Sequence, residues 1–146
     1  AGRGGRRRPS RWRAPVGAAD DRMLPVDTPV WIDHVRTGVP LLTVLLDEAQ
    51  VLVHPWVIGE LALGQLSRRS EILGLLNNLP RATAATEAEV MSLVESQHLF
   101  GMGIGYVDAH LIAATLLTTD AALWTRDTRL AGAAANLGIA HQPAGA

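Results

Sequence analysis

The chain has no cysteine and no lysine in its 146 residues. Without cysteine there is neither a disulfide framework nor a thiolate metal site, and the composition fits a reducing, cytoplasmic setting. No apolar run approaches the roughly 18–20 residues that span a bilayer, so no membrane partner is expected. The five histidines, His34, His54, His98, His110 and His141, show no HxxxH spacing and have no cysteine partners. That removes a zinc site and leaves them as surface residues or satisfied helix residues. No GxSxG or Ser–His–Asp arrangement stands out. The glycine-rich stretch "GMGIGYVDAH", Gly101 to His110, lacks the G-x-G-x-x-G spacing of a dinucleotide loop, and no lysine follows as a Walker loop requires. It reads as a helix-to-helix connection with freedom of φ.

What is present divides in two. Residues 1–22 hold seven arginines against two aspartates, a balance of +5, whereas residues 23–146 hold six arginines against twelve acids, a balance of −6. The head has Gly, Pro and Arg without apolar periodicity, so it is expected to be disordered. No hydrophobic segment follows it, which argues against an export signal. It reads as a leftover of cloning or an extended upstream start, with Met23 opening the natural domain. The competing reading is a nucleic-acid-binding arm that neutralises phosphates. Residues 23–146, in a chain that is 48% hydrophobic, are expected to form one domain with one core.

From Met23 onward, strand and helix patterns alternate. "LPVD" is a short apolar run ending in an acid. "TPVWIDHVR" follows as helix, with Thr28 at the cap and Pro29 in the first turn. "PLLTVLLDE" is a second helix and "QVLVH" a buried strand. "PWVIGELALGQLSRR" reads as one helix, and "SEILGLLNNLP" as a shorter one stopped by Pro80. "RATAA" is a short strand. In "TEAEVMSLVESQHL", Thr86 and Glu89 make a capping box. "YVDAHLIAATLLT" is helix, "AALWTRD" a strand ending in an acid, "TRLAGAAANLG" a helix closed by Gly138, and "IAH" a last strand. This alternation predicts an α/β domain around a mainly parallel sheet.

Asp27 and Asp127 directly follow short apolar strands. Ligands of open α/β sheets sit beyond the carboxyl ends of strands, so both acids are expected on one edge. Glu60 lies inside the nearly apolar "VIGELAL", and Asp108 in the first turn of a helix between apolar neighbours. Each acid alone has an ordinary explanation, as a helix cap, a solvent-facing side chain or a partner of the helix dipole. Together they form a cluster whose mutual repulsion a divalent cation removes. An all-oxygen site suits Mg²⁺ or Mn²⁺ and can activate a water and stabilise charge on a phosphodiester.

"VDTPVWIDHVR", "VLVHPWVIGELALG", "GIGYVDAHLIAATLL" and "LWTRDTRL" resemble the PIN-domain toxins of the VapC type, the ribonuclease halves of bacterial toxin–antitoxin pairs. The likeness runs from about Met23 to Ile139. It implies a Rossmann-like α/β/α fold and Mg²⁺- or Mn²⁺-dependent endonuclease action on RNA, tRNA or another structured RNA being the expected target. It also implies that Asp27, Glu60, Asp108 and Asp127 are the catalytic, metal-holding carboxylates. Thr28 and Thr125 would orient ligands, and Arg126 would contact a phosphate or stay on the surface. The implied partner is a VapB-type antitoxin in a groove near Trp31, Leu41, Leu45, Trp56 and Leu63, unless these are ordinary core. A homodimer is expected to pool Arg36, Arg68, Arg69 and Arg81. One departure is Pro29, where many relatives carry serine, which removes a hydroxyl and an N–H near the site. Two other classes stay open: a nuclease with a DNA or structure-specific preference, and a non-catalytic binding module whose acids are only caps.

Overall fold

A computed structural model describes residues 22–142. The reading of residues 1–22 as a disordered arm therefore falls almost entirely outside the described residues.

The apolar run after Met23 enters the core as β1 (Leu24–Pro25), which pairs in parallel with β2 (Val51–Leu52), Leu24 opposite Val51 and Pro25 opposite Leu52. Single parallel bridges continue this two-stranded sheet on both sides. Val53 pairs with Arg81, Met23 with Ala121, Val26 with Trp124, and Leu123 with Ala140. The expected strands in "RATAA", "AALWTRD" and "IAH" thus exist as bridges, too short to be regular strands. The mixed α/β architecture and the parallel sense agree with the sequence reading, and the regular sheet is smaller than expected.

Among the described residues, seven helices surround the sheet. Each of the first three opens on a proline: α1 (Thr28–Thr37), α2 (Pro40–Asp47) and α3 (Pro55–Leu63) carry it in their first turn, where the missing N–H has no intrahelical partner in any case. The expected long helix from Pro55 stops at Leu63, because Gly64 turns extended (ψ 177°). The chain restarts as α4 (Arg69–Asn77) after Arg68 takes a left-handed φ of 52°. α5 (Glu87–Ser96) opens on the full Thr86–Glu89 capping box, a motif that satisfies two otherwise orphaned donors.

α6 (Tyr106–Leu117) is the central helix. Every residue from Ala109 to Leu116 is buried, which is why its apolar residues run continuously with no polar face. Thr115, fully buried within it, returns its hydroxyl to the Leu111 carbonyl at 2.7 Å. α7 (Thr128–Asn136) is the last helix among the described residues and buries Leu130, Ala133 and Ala134. Among the described residues no helix is long and apolar enough to cross a membrane.

Because every pairing is parallel, the segments after β1, β2 and Trp124 emerge on one edge of the sheet. That edge receives Asp27, the start of α3 and the Thr125–Asp127 turn.

Candidate active site

Asp27 is the N-cap of α1 and is only 4% exposed. Its Oδ1 accepts the Thr28 N–H at 2.8 Å. Pro29 at the next position has no N–H to offer, so the cap takes one backbone donor. Oδ2 accepts the Thr125 hydroxyl at 2.7 Å, across 98 positions of sequence. Burial pushes the Asp27 pKa above its ordinary value; the hydrogen bonds from Thr125 and Thr28 oppose this, and the charges of Asp108 and Glu60 add to it. The buried carboxyl therefore feels two like charges, the conflict a cation would relieve.

Glu60 reaches the same place from α3, where its Oε1 accepts the Thr28 hydroxyl at 2.9 Å. Thr28 thus bonds Asp27 through its N–H and Glu60 through its side chain. Asp108 stands in the first turn of α6, and its Oδ2 accepts the Gly105 N–H at 2.9 Å. Its place at the positive end of the helix stabilises the charge. Asp127 caps α7, its Oδ1 accepting the N–H groups of Arg129 and Leu130 at 2.9 and 3.0 Å. The Asp127 N–H donates to Thr125 Oγ1 at 3.0 Å. The Thr125 hydroxyl is therefore the joint between Asp127 and Asp27.

The structure brings Glu60 and Asp108 each within electrostatic reach of Asp27, and Asp127 is linked to Asp27 through Thr125. As placed, no three acidic or imidazole side chains among the described residues meet closely enough to hold one ion. The oxygens left without a hydrogen bond among the described residues are Glu60 Oε2, Asp108 Oδ1 and Asp127 Oδ2. This all-carboxylate donor set fits a hard cation such as Mg²⁺, which keeps several waters and is bound by one or two carboxylates at a time.

Other expectations resolve differently. Arg126 forms an ion pair with Asp33, so its guanidinium is already engaged. His54 and His110 are buried at 1% and 3% exposure, and His54 Nε2 and both His110 ring nitrogens lack hydrogen-bond partners among the described residues. They are neither surface nor satisfied groups. Burial holds His54 down to about 4, with His110 adding repulsion. Burial lowers His110 as well, against the raising influence of Glu87. The signal available in the sequence was their setting, His54 just before Pro55 and His110 inside an apolar helix.

Arg129 went unnoticed in the sequence. Its side chain lies across the glycine loop, so that a Cβ at Gly103 would come within 2.6 Å of Nη1 and 2.8 Å of Cδ. Gly103 also has a φ of +77°. At Gly101, φ is +71° and nothing lies within 4 Å of the same position. Gly101→Ala is therefore expected to cost only the left-handed backbone penalty of about 1–2 kcal/mol. Gly103→Ala should cost nearly the same, because the atoms in its way belong to the exposed Arg129 side chain, which can swing aside. Thermal melting of the two variants checks this; a much lower melting temperature for Gly103→Ala would show that Arg129 is held in place.

No family model and no solved structure matches the chain. Two curated relatives do, both named Ribonuclease VapC32, from two strains of Mycobacterium tuberculosis. Each is 45% identical over 118 residues, which is 81% of this chain and 95% of the relative. Identity at that level, over nearly the whole relative, places the chain in the VapC-type family of PIN-domain ribonucleases.

Proposed function

We propose that the chain is the toxin of a toxin–antitoxin pair, a PIN domain over residues 23–146 that cuts RNA phosphodiester bonds with Mg²⁺ or Mn²⁺ held by Asp27, Glu60, Asp108 and Asp127. The observation that carries this is a buried Asp27 pressed by the charges of Glu60 and Asp108, in a chain whose curated relatives are named ribonucleases. The parallel pairings on both sides of β1 support a Rossmann-like α/β/α arrangement.

Asp27 offers the most buried charge. Thr28 and Thr125 fix its two oxygens, and Thr28 holds Glu60 beside it. A divalent ion bound there would supply Lewis-acid activation of water and neutralise charge on the phosphodiester. The expected products carry a 5′-phosphate and a 3′-hydroxyl, and the expected substrate is tRNA or another structured RNA.

A VapB-type antitoxin is the proposed partner. An apolar groove of about 360 Å³, lined by Trp31, Val35, Leu46, Ile72 and Leu75 among others, suits a segment that folds as it binds. The groove lies between α1, α2 and α4. Of the residues expected to line it, only Trp31 does; Trp31 and Leu45 are core, Leu41 is half-buried against that core, and Trp56 and Leu63 are exposed. A second cavity of about 380 Å³ brings Arg36 together with Glu60, which supports Arg36 as a phosphate contact. Arg68 and Arg69 sit at the start of α4, where a homodimer would pool them with Arg36 and Arg81.

RNA incubated with the purified chain and Mg²⁺ or Mn²⁺ should be cut, EDTA should stop the reaction, and flap DNA should survive. Cutting that persists in EDTA, or a preference for flap DNA, overturns the reading. Mn²⁺ at a hundred times its dissociation constant should raise the unfolding free energy by about 2.7 kcal/mol, read as a higher melting temperature.

A further inference from the structure

We propose that Trp56 and Tyr106 form a stacking platform for one unpaired nucleobase of the RNA, next to the phosphate that is cut. This rests on the ribonuclease reading above and names a subsite within it.

The chain has only four tryptophans, one tyrosine and one phenylalanine. Trp31 and Trp124 are buried in the core, whereas Trp56 and Tyr106 remain 42% and 43% exposed. Both sit in the first turn of a helix that carries an acid of the site, Trp56 on α3 with Glu60 and Tyr106 on α6 with Asp108. Trp56 and Glu60 are four residues apart and share a face of α3, about 6 Å of helix rise from one another. Glu60 in turn is bonded to Thr28, the neighbour of Asp27.

The two rings are built into the fold. Their centroids are 5.5 Å apart at 67°. One face of Trp56 stacks on the His110 ring at 4.1 Å and 28°. Tyr106 meets the same ring edge-on at 4.7 Å and 85°. His110 is buried beneath them, so the platform has a fixed backing and the exposure of Trp56 belongs to its remaining surface. A leucine or methionine at position 56 would still pack against His110; only a ring also offers a flat outer surface.

Charge favours a nucleobase as the occupant. Residues 23–146 carry −6, so attraction to phosphates is confined to local arginines such as Arg36. Stacking on an aromatic face is insensitive to that charge, and unpaired bases splayed from loops are bound in this way.

The test uses the full chain and an RNA oligonucleotide spanning a mapped cut. Trp56→Leu should raise KM about tenfold, the scale of one lost base–aromatic stack, with kcat little changed and the circular dichroism of the parent, while the melting temperature falls by a few degrees as the ring contacts with His110 and Tyr106 are lost. Trp56→Phe should keep KM within about twofold, and Tyr106→Leu should behave like Trp56→Leu. An abasic nucleotide is then walked through the positions beside the cut. At one of them it should raise the parent KM as much as Trp56→Leu does, and add nothing further in that variant. The same comparisons by equilibrium binding in EDTA read the platform without chemistry. Unchanged RNA affinity in both leucine variants overturns the platform, as do abasic and Trp56→Leu effects that multiply at every position. So does a Trp56→Leu variant that weakens only antitoxin binding. Absence of cutting by the parent, with Trp56-dependent binding intact, overturns the nuclease reading and leaves the platform standing.

Discussion

Asp27→Asn should reduce metal-dependent RNA cleavage by about a thousandfold, the scale on which removing one preorganised electrostatic element acts, while making the metal-free protein more stable. The two effects have one origin. Asp27 is buried beside Glu60 and Asp108, and burial followed by those two charges raises its pKa above 3.8 in the folded chain. Between 3.8 and the raised value the folded state binds more protons than the unfolded one, so stability falls as pH rises through that window and the penalty is complete above it. Asparagine keeps the shape and removes the charge. Its carbonyl oxygen can still accept the Thr28 N–H, and its amide can donate to the Thr125 oxygen, which already accepts from Asp127. A rise in melting temperature at neutral pH is expected, because the raised pKa makes the buried charge a cost above that window. Mn²⁺ should raise the melting temperature of the parent and leave that of the variant unmoved. Circular dichroism of the variant should match the parent. A variant that cuts RNA normally, or one that melts lower than the parent in EDTA, removes Asp27 from the centre of the site.

The acids were legible because each lies where local rules leave a mark. Asp27 and Asp127 end apolar runs and cap helices, and Asp108 opens a helix behind a glycine loop. Thr86 and Glu89 announced α5 through three-residue spacing alone. The joints between these pieces were not legible. Thr125 bonds Asp27 across 98 positions, and no local pattern encodes a contact at that separation. Arg129 seated on Gly103 is equally nonlocal, although the glycine was visible. The sheet was over-read for a related reason. Apolar runs such as "AALW" are buried and extended, yet hydrogen-bond register decides whether they become strands, and here they make single bridges. The break at Gly64 leaves no local mark because apolar periodicity continues through it to Leu66; the extended backbone of Gly64 and the left-handed Arg68 separate α3 from α4.

His54 carries the second large expectation, a loss of stability in mild acid. It caps α3 in an unusual way, its ring Nδ1 accepting the Trp56 N–H at 3.0 Å. That nitrogen accepts only while unprotonated, and the other ring nitrogen is buried without a partner among the described residues. Protonation therefore breaks the cap and buries a charge beside His110, whose ring lies 6.1 Å away. The folded pKa near 4 stands against an ordinary 6.5. Between those values the unfolded chain binds more protons, so stability is complete above pH 6.5 and drains away as pH falls toward 4. The full loss is about 3 kcal/mol at roughly 1.4 kcal/mol per unit, a large share of the 5–15 kcal/mol that typically holds a domain together. Asp27 acts in the opposite sense just above pH 3.8, so the measurement belongs in the Asp27→Asn background. His54→Asn in that background keeps a side-chain acceptor at the helix start, where asparagine is favoured, and has no proton to gain. Its melting temperature should fall clearly less from pH 6.5 to 4 than that of the parent background, which falls by roughly 10 °C; the remaining slope belongs to His110 and His141, whose pKa values burial also lowers. Equal slopes in the two proteins would assign the acid lability elsewhere and leave His54 a plain packing residue.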